Sequence, residues 1–79
     1  MEIKVRLYGA LGKGVPGHDP LNGLVLDLPE GSDVKDLIEH LKIPRKKVGI
    51  ISIDSSLAKD TRILMAGNFV RLYRPIFGG

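Results

Sequence analysis

The sequence predicts an α+β fold in which a mixed sheet of four to five strands packs on one helix. Two observations support this prediction. Apolar and polar residues alternate near both ends of the chain, as in half-buried strands, and a single amphipathic helix lies between them. The length of 79 residues allows one domain. We expect that domain to span residues 1–74, with residues 75–79 as a flexible C-terminal tail.

Two strands and a long loop are predicted in the first third of the chain. Ile3, Val5 and Leu7 alternate with other residues, which indicates a strand with one buried face. Leucines recur at every other position over 24–28, which predicts a second strand that can form a hairpin with the first. Five glycines and two prolines within 9–23 predict a loop between them. The loop residues expected to pack back onto the body are Leu11, Val15 or Leu21.

The helix is predicted from residue 33 to residue 41. Ser32 is the expected N-cap, because its hydroxyl can accept a hydrogen bond from a free backbone N–H of the first turn. Acidic residues follow in that turn, where negative charge suits the helix dipole. Pro44 prevents continuation of the helix. The residues that form one apolar stripe are Val34, Leu37, Ile38 and Leu41.

The second half of the chain predicts at least two more strands. The predicted segments are an exposed basic loop at 45–47, a strand at 48–53, a turn at 54–56, an irregular segment at 57–65 and a strand at 68–73. Within the third strand, Ile51 and Ile53 are expected to face inward. We expect the last strand to lie beside the first, in the middle of the sheet. The crossover through the helix makes the strands it joins candidates for parallel placement.

The composition excludes several kinds of chemistry. The chain has no cysteine, so disulfides, thiolate catalysis and cysteine-based zinc sites are excluded. Its formal net charge of +3 is well below that of a dedicated nucleic-acid-binding arm. The first residues lead directly into strand-like alternation, without a signal peptide or an apolar run of membrane-spanning length. We therefore expect a soluble cytoplasmic protein.

Motifs that elsewhere mark nucleotide or metal sites lack their physical context here. Residues 12–17 match G-x-G-x-x-G, but that motif needs a helix that begins at its third glycine, and no amphipathic helix begins here. Lys13 is followed by glycine where a P-loop requires a hydroxyl. His18 and His40 are the only histidines and have no evident third ligand. We interpret them as surface residues and expect no metal site.

One face of the predicted sheet combines basic and aromatic side chains. Its members are Arg6, Tyr8, Phe69, Arg71, Tyr73 and Arg74. Arginine and aromatic residues are enriched at protein interfaces, so this pattern is typical of a docking face. The same residues are equally consistent with an ordinary solvated sheet. An RNA-binding sheet is less favoured, because the aromatic ribonucleoprotein motif is absent.

The sequence ends with Gly78-Gly79, which follows the last predicted strand after a short segment. Pro75 is expected to end the strand pairing, because proline has no backbone N–H. Glycine has no Cβ, so a diglycine can thread a narrow channel that excludes any larger residue. The five residues after Arg74 reach about 17 Å when extended. An inert, flexible terminus is the alternative interpretation.

The segment 67–79 resembles the ending of the ubiquitin-like β-grasp sulfur carriers, the ThiS/MoaD-type family that includes the small subunit of molybdopterin synthase. That ending contains Gly-Asp, a hydrophobic strand, Pro-Pro, two further residues and Gly-Gly. Residues 28–32 and 34–41 are similar to the family's turn into its single helix. The resemblance implies a ubiquitin-like β-grasp fold over nearly the whole chain. The positions that depart from the family pattern are Asn68, Arg74 and Phe77.

The resemblance also implies a sulfur-carrier function centred on Gly79. A partner related to ubiquitin-activating enzymes would use ATP to adenylate the Gly79 carboxylate, and a sulfur donor would displace AMP to leave a thiocarboxylate. The sulfur would pass to an acceptor enzyme such as a molybdopterin synthase large subunit, in molybdenum or tungsten cofactor biosynthesis. Gly78 would share the reactive end, and the partner-binding residues would be Phe69, Arg71, Tyr73, Arg74, Pro75, Ile76 and Phe77. The chain would bind no cofactor itself and would be a co-substrate rather than an enzyme on its own.

Three alternatives stay open from the sequence. A thiamin-type sulfur carrier or a ubiquitin-like protein modifier would use the same diglycine activation, and the modifier would form an isopeptide bond between Gly79 and a lysine. A protein of another class, a non-catalytic β-grasp interaction module, would leave the diglycine inert.

Overall fold

The structure, a computed structural model, describes residues 1–76 and contains a five-stranded sheet and one α-helix. The elements are β1 (Glu2–Leu7), β2 (Leu24–Asp27), α1 (Val34–His40), β3 (Ile51–Ile53), β4 (Ser56–Ala58) and β5 (Phe69–Leu72), with short 3₁₀ turns at Gly9–Gly12 and Arg45–Lys47. This confirms the predicted α+β class with a mixed sheet. No helix within residues 1–76 is long and apolar enough to cross a membrane.

The strand order in the sheet is β2-β1-β5-β3-β4. β5 runs parallel to β1 and lies in the middle of the sheet, as the sequence predicts, and the other three pairings are antiparallel. β2 and β3, which the helix connects, run in the same direction, but β1 and β5 separate them. The helix therefore carries the chain from one side of the central strand pair to the other.

The core lies between one face of the sheet and α1. The buried apolar residues that the alternation and the helical stripe predict are Ile3, Val5, Leu7, Val34, Leu37, Ile38, Leu41, Val70 and Leu72. Each such side chain contributes about 1.5–3 kcal/mol when it leaves water completely. The periodicity of β1, β5 and α1 thus places their apolar sides together, and it directs the opposite side of β1 and β5 to solvent.

The N-terminus of α1 corrects the predicted cap. Asp33, not Ser32, is the N-cap: its carboxylate accepts from the Asp36 N–H at 2.9 Å, and the Asp36 carboxylate accepts from the Asp33 N–H at 3.0 Å. This reciprocal pair is a capping box. The Ser32 hydroxyl instead donates to the Pro29 carbonyl at 2.7 Å and closes the preceding turn. The helix begins one residue later because the carboxylates satisfy two backbone donors at once.

A short edge strand, β4, covers the end of the predicted turn and the start of the segment that the sequence predicts to be irregular. Asp54 and Ser55 form the predicted turn with positive φ angles of 48° and 72°, and β4 then pairs antiparallel with β3. Leu57 in the centre of β4 is 79% exposed, so no buried alternation marks this strand in the sequence. Ile51 and Ile53 of β3 are buried, as predicted. The backbone pairing with β3, rather than side-chain burial, defines β4.

The loop between β1 and β2 is attached to the body through His18. The His18 Nε2 accepts a hydrogen bond from the Leu7 N–H at 2.9 Å, at the end of β1. A Cβ on Gly12 would lie 2.5 Å from the His18 Nδ1, so the glycine lets the backbone pack directly on the ring. His18 is half-buried, which corrects its interpretation as a surface residue. Of the apolar loop residues, Leu11 is buried and Val15 is half-buried, whereas Leu21 is exposed.

Replacing Asp33 with alanine tests the corrected helix start. We expect the free energy of unfolding to fall by about 1 kcal/mol, because the substitution removes the side-chain acceptor of the capping box. Urea denaturation, read as a lower midpoint at an unchanged slope, measures this loss. Glu39→Ala, at an exposed position of the same helix, is the control and should change stability by less than about 0.5 kcal/mol. Equal stability of Asp33→Ala and the parent protein would contradict the capping box.

Candidate functional site

The solvent side of the central strand pair carries an ordered layer of aromatic and cationic side chains. We call this layer the cation–aromatic face; its members are Lys4, Arg6, Tyr8, Phe69, Arg71 and Tyr73. Parallel pairing of β1 with β5 sets Lys4 beside Phe69 and Arg6 beside Arg71. The rings of Tyr8 and Tyr73 stack, with centroids 4.4 Å apart and planes inclined by 12°. The predicted sharing of one face by these arginines and aromatic residues is therefore confirmed.

The cations of this face lie over the rings. The Lys4 Nζ is 5.0 Å from the centroid of the Phe69 ring, and the guanidinium carbon of Arg71 is 4.0 Å from the same centroid. The guanidinium of Arg6 lies 4.7 Å from the centroid of the Tyr8 ring. Cation–π contacts of this kind stabilise a partly exposed pair by about 0.5–1 kcal/mol. They hold the long basic side chains against the sheet, so the face is at once aromatic and basic.

The environment of Tyr73 favours the neutral phenol. Burial raises the pKa of Tyr73, and the neighbouring Tyr8 hydroxyl raises it further, whereas the charges of Arg71 and Arg6 act in the opposite direction. Desolvation penalises the phenolate because it has a charge that the protein interior solvates poorly. The Tyr73 phenol is therefore uncharged at neutral pH, and the positive charge of the face comes from the basic side chains around it.

A network of side chains fixes the start of β5. The Asn68 amide donates to the Asp54 carboxylate at 2.6 Å, and its carbonyl oxygen accepts from the Met65 N–H at 2.7 Å. Asp54 in turn accepts from the Phe69 N–H at 2.9 Å. An aspartate at position 68, the residue usual in the resembled family, could not donate to Asp54 in its ionised form. The asparagine at position 68 thus has a structural reason, because its amide donates to Asp54. The sequence interpretation missed this hydrogen bond, because it treated Asp54 only as a turn residue.

The chain remains anchored for three residues beyond β5. The Tyr73 N–H donates to the Ile50 carbonyl at 3.0 Å, and the Gly49 N–H donates to the Tyr73 carbonyl at 2.7 Å. A Cβ on Gly49 would lie 2.5 Å from the Pro75 Cα, so the two backbones meet where Gly49 has no side chain. Ile76 is 85% exposed. The segment Tyr73–Pro75 is thus an anchored exit from which the tail leaves the sheet.

Arg74 does not join the cation–aromatic face, which corrects its predicted position. A Cβ on Gly9 would lie 3.3 Å from the Arg74 Cδ, and Arg74 lines a groove beside the loop between β1 and β2. Strand alternation explains this, because Tyr73 points to the solvent face and Arg74 to the other side.

Phe77, Gly78 and Gly79 lie outside the described residues, and their roles stay predictions. Lys4 and Gly49 were missed by the sequence interpretation, although a glycine just before a strand can indicate a close backbone approach.

Comparison with known families and sequences gives one family match. The family model described as Mut7-C ubiquitin matches residues 1–78. No curated protein sequence matches the chain at a significant level. The matched range includes every described element and the exit of the tail.

Several solved structures have the same fold. A Pyrococcus furiosus protein assigned as molybdopterin converting factor subunit 1 is 21% identical, with a TM-score of 0.72 over 95% of this chain and 98% of that chain. SAMP1 from Haloferax volcanii is 14% identical, with a TM-score of 0.69 over 100% of both chains. A complex of subunits 1 and 2 of the molybdopterin-converting factor from Helicobacter pylori 26695 contains a chain that is 20% identical, with a TM-score of 0.63 over 100% of both chains. These likenesses confirm the ubiquitin-like β-grasp fold.

Replacing Gly49 with alanine tests the anchored exit. The added methyl group would collide with the Pro75 backbone, so we expect a loss of about 1–3 kcal/mol of stability, together with displaced amide signals at Tyr73 and Ile76. Gly14→Ala is the matched control, because a Cβ there meets no atom within 4 Å and the change in unfolded-chain entropy is the same. Unchanged stability and unchanged amide signals in Gly49→Ala would disprove the backbone contact.

The raised pKa of Tyr73 predicts an alkaline loss of stability. The folded protein holds the phenol proton more tightly than the unfolded chain, whose tyrosine pKa is about 10. The stabilisation is therefore complete below about pH 10 and is lost as pH rises through the folded pKa. Tyr73→Phe has no phenol to ionise, so its stability should fall less over this range. Denaturation of both proteins on either side of pH 10 measures the difference, and an identical decline in both would refute it.

Proposed function

We propose that this chain, which belongs to the Mut7-C ubiquitin family, is a ubiquitin-like sulfur carrier whose Gly79 carboxylate is adenylated by a partner and converted to a thiocarboxylate. The carried sulfur is donated to an acceptor in the biosynthesis of the molybdenum or tungsten cofactor. The reaction steps use the Gly79 carboxylate together with groups of the partners, so the chain acts as a co-substrate.

The observation that carries this proposal is the anchored exit of the tail. Hydrogen bonds of Tyr73 to Ile50 and Gly49, just before β3, and the close approach of Gly49 to Pro75 fix the direction in which the chain leaves the sheet. Beyond the exposed Ile76, the three remaining residues would add about 10 Å of reach if they were extended. A rigid body with a fixed exit can dock outside a partner's active site while Gly79 enters it. The missing side chains of Gly78 and Gly79 suit a narrow entrance.

The cation–aromatic face supplies a surface for such docking. Phe69 and Arg71 lie on β5 and Tyr73 is the first residue of the exit, so a partner that contacts this face also meets the tail. Aromatic and arginine residues are typical anchors at protein interfaces. The basic charge favours a partner with an acidic docking surface, since complementary potentials speed association. The Helicobacter pylori complex of subunits 1 and 2 supports a large-subunit type of protein as the sulfur acceptor.

The proposed conversion of the Gly79 carboxylate to a thiocarboxylate takes two steps. The Gly79 carboxylate oxygen attacks the α-phosphorus of ATP, and pyrophosphate leaves, which gives an acyl-adenylate on the terminal glycine. A hydrosulfide donor then attacks the acyl carbon, the bond to the phosphate oxygen breaks, and AMP leaves with a proton released to solvent. The product is a thiocarboxylate at Gly79. Adenylation raises the reactivity of a carboxylate that is otherwise a poor electrophile, and the activating partner supplies the ATP site.

A second candidate function is protein modification. The similarity to SAMP1, a small archaeal modifier protein by its description, favours this candidate. The same acyl-adenylate of Gly79 would be attacked by a lysine amine instead of a hydrosulfide, and an isopeptide bond would replace the thiocarboxylate. The two functions share the tail and the activating partner, and they differ in the nucleophile that takes the acyl group.

Intact-mass spectrometry tests the sulfur-carrier function. The purified chain is incubated with its cognate adenylating enzyme, ATP and a hydrosulfide donor, and we expect the mass increase of one oxygen-to-sulfur exchange together with ATP–pyrophosphate exchange. Deletion of Gly79 should abolish both signals without unfolding the domain, because the buried core of the described residues is formed within 3–72. Lys35→Ala, at an exposed position in the first turn of α1, is the control that should keep full activity.

Three outcomes of this experiment would count against the proposal. Absence of both signals from the parent protein would overturn the carrier function and favour an inert interaction module. Activity that survives deletion of Gly79 would exclude the tail as the site. Lysine-linked adducts in place of the thiocarboxylate, with ATP–pyrophosphate exchange intact, would favour the modifier.

A further inference from the structure

A groove of about 660 Å³ lies beside the anchored exit, away from the cation–aromatic face. It is formed by the loop after β1, by the end of α1 with the turn that follows, and by Arg74 and Pro75. Its volume is in the range of about 300–1,000 Å³ that is usual for ligand pockets. The loop side of the groove exists because the His18 side chain ties the loop to β1.

The floor of the groove is apolar. Leu11 and Leu41 are almost completely buried beneath it, and Val15 and Ile43 are half-buried along its walls. Pro75 closes the side next to the tail. Such a floor offers no hydrogen-bond donor to a polar ligand, but it can take an aliphatic or aromatic side chain. Anchors of this kind, held in a pocket that excludes water, contribute most of the binding energy at many interfaces.

The rim of the groove is basic. Lys42, Lys46, Lys47 and Arg74 line it and are exposed, and no carboxylate lines it among the described residues. Arg45, in the same basic run of sequence, is instead held by Asp60 at 2.9 Å and turned away from the groove lining. In the part of the chain that the structure describes, the ion pairs are this one and that between the N-terminus and Asp27. The rim therefore presents four cations without an acidic counterpart beside them.

We propose that this groove binds an acidic segment of a partner protein, with one aliphatic or aromatic side chain in the apolar floor and flanking carboxylates at the basic rim. We choose an acidic segment because its carboxylates complement the cations of the rim. Carboxylates on both sides of an apolar anchor match the arrangement of cations around the floor, and electrostatic attraction raises the rate of association. Peptides that bind by this mode need no folded structure of their own.

Other occupants fit the groove less well. A free phosphate or an RNA strand would gain from the cations but would leave the floor of Leu11 and Leu41 unused, and no aromatic side chain within residues 1–76 lines the groove as a platform for base stacking. The chain's own tail carries a single carboxylate against four cations, and Ile76, which leads into it, is exposed rather than turned into the groove. A partner segment with several carboxylates satisfies both the floor and the rim.

This inference goes beyond the proposed function. The groove shares Arg74 and Pro75 with the anchored exit, but the rest of its lining belongs to segments that the sulfur-carrier proposal does not use. Binding of a peptide to the groove also needs no activation of Gly79. The test below can therefore fail while the carrier function holds, and it can succeed while the carrier function fails.

Amide chemical-shift titration of the ¹⁵N-labelled chain tests the groove. The probe is the capped peptide acetyl-Glu-Glu-Leu-Phe-Glu-Glu-amide, and the comparison peptide has glycines in place of Leu-Phe. We expect saturable shifts of the Leu11, Val15 and Ile43 amides with the first peptide and at least about tenfold weaker binding with the second, because the anchor is lost. Raising the salt concentration should weaken binding of the first peptide, since the rim charges are exposed and screened.

Two variants with a matched control locate the binding. The double substitution Lys46→Glu/Lys47→Glu reverses the charge at two of the rim positions. It should weaken peptide binding by about tenfold or more, because the new carboxylates repel those of the peptide. Lys35→Glu/Lys59→Glu makes the same change in net charge at exposed positions outside the groove and should leave the affinity unchanged. Gly14→Trp fills the groove at a position where a Cβ meets no atom within 4 Å, and it should abolish binding in a folded protein.

Four results would overturn the proposal. The first is a set of peptide shifts confined to Phe69 and Arg71 on the cation–aromatic face. The second is an equal loss of affinity in the rim variant and its control. The third is binding of inorganic phosphate or of a uridine hexanucleotide at the groove amides with the affinity of the peptide or better. The fourth is a change in the chemical shifts of the groove amides, without any peptide, when the chain is truncated after Ile76. Such a change would mean that the tail itself occupies the groove.

Discussion

The parallel pairing of β1 with β5 is the interaction on which the rest of this structure depends. The inner sides of these two strands supply Ile3, Val5, Val70 and Leu72 to the core against α1. Their outer sides bring the cationic and aromatic residues into register, and the end of β5 becomes the exit of the tail. A shift of this pairing by one residue would exchange the two faces. Stability and the candidate docking surface are thus set by the same register.

The sequence predicts the parts of the fold that side-chain burial defines. The alternation at Ile3, Val5 and Leu7 and the stripe from Val34 to Leu41 are statements about which side chains avoid water, and the structure confirms them. β4 could not be found in this way, because its pairing is made by backbone groups while Leu57 stays exposed. The helix start was misplaced by one residue, because both Ser32 and Asp33 can cap and only the geometry of Asp36 decides between them.

The candidate site was predictable in its composition more than in its arrangement. Strand alternation places Phe69, Arg71 and Tyr73 on one face, which the structure confirms. Arg74 was assigned to the same face, although the same alternation directs it to the other side. The groove could not be predicted, since its lining comes from three segments that are distant in sequence. Such a site depends on how the loop after β1 is held, and a hydrogen bond from a backbone amide to His18 leaves no pattern in the sequence.

The close approach of Gly49 to Pro75 sets the direction of the tail independently of the residues that a partner would recognise in it. The direction is set by two backbones that touch where a side chain is missing, so it does not depend on which residues follow. Ile76 and Phe77 are then available to differ between related chains without changing the path of the exit. The residues that a partner would contact can therefore change on this scaffold while the close backbone approach that sets the exit stays the same.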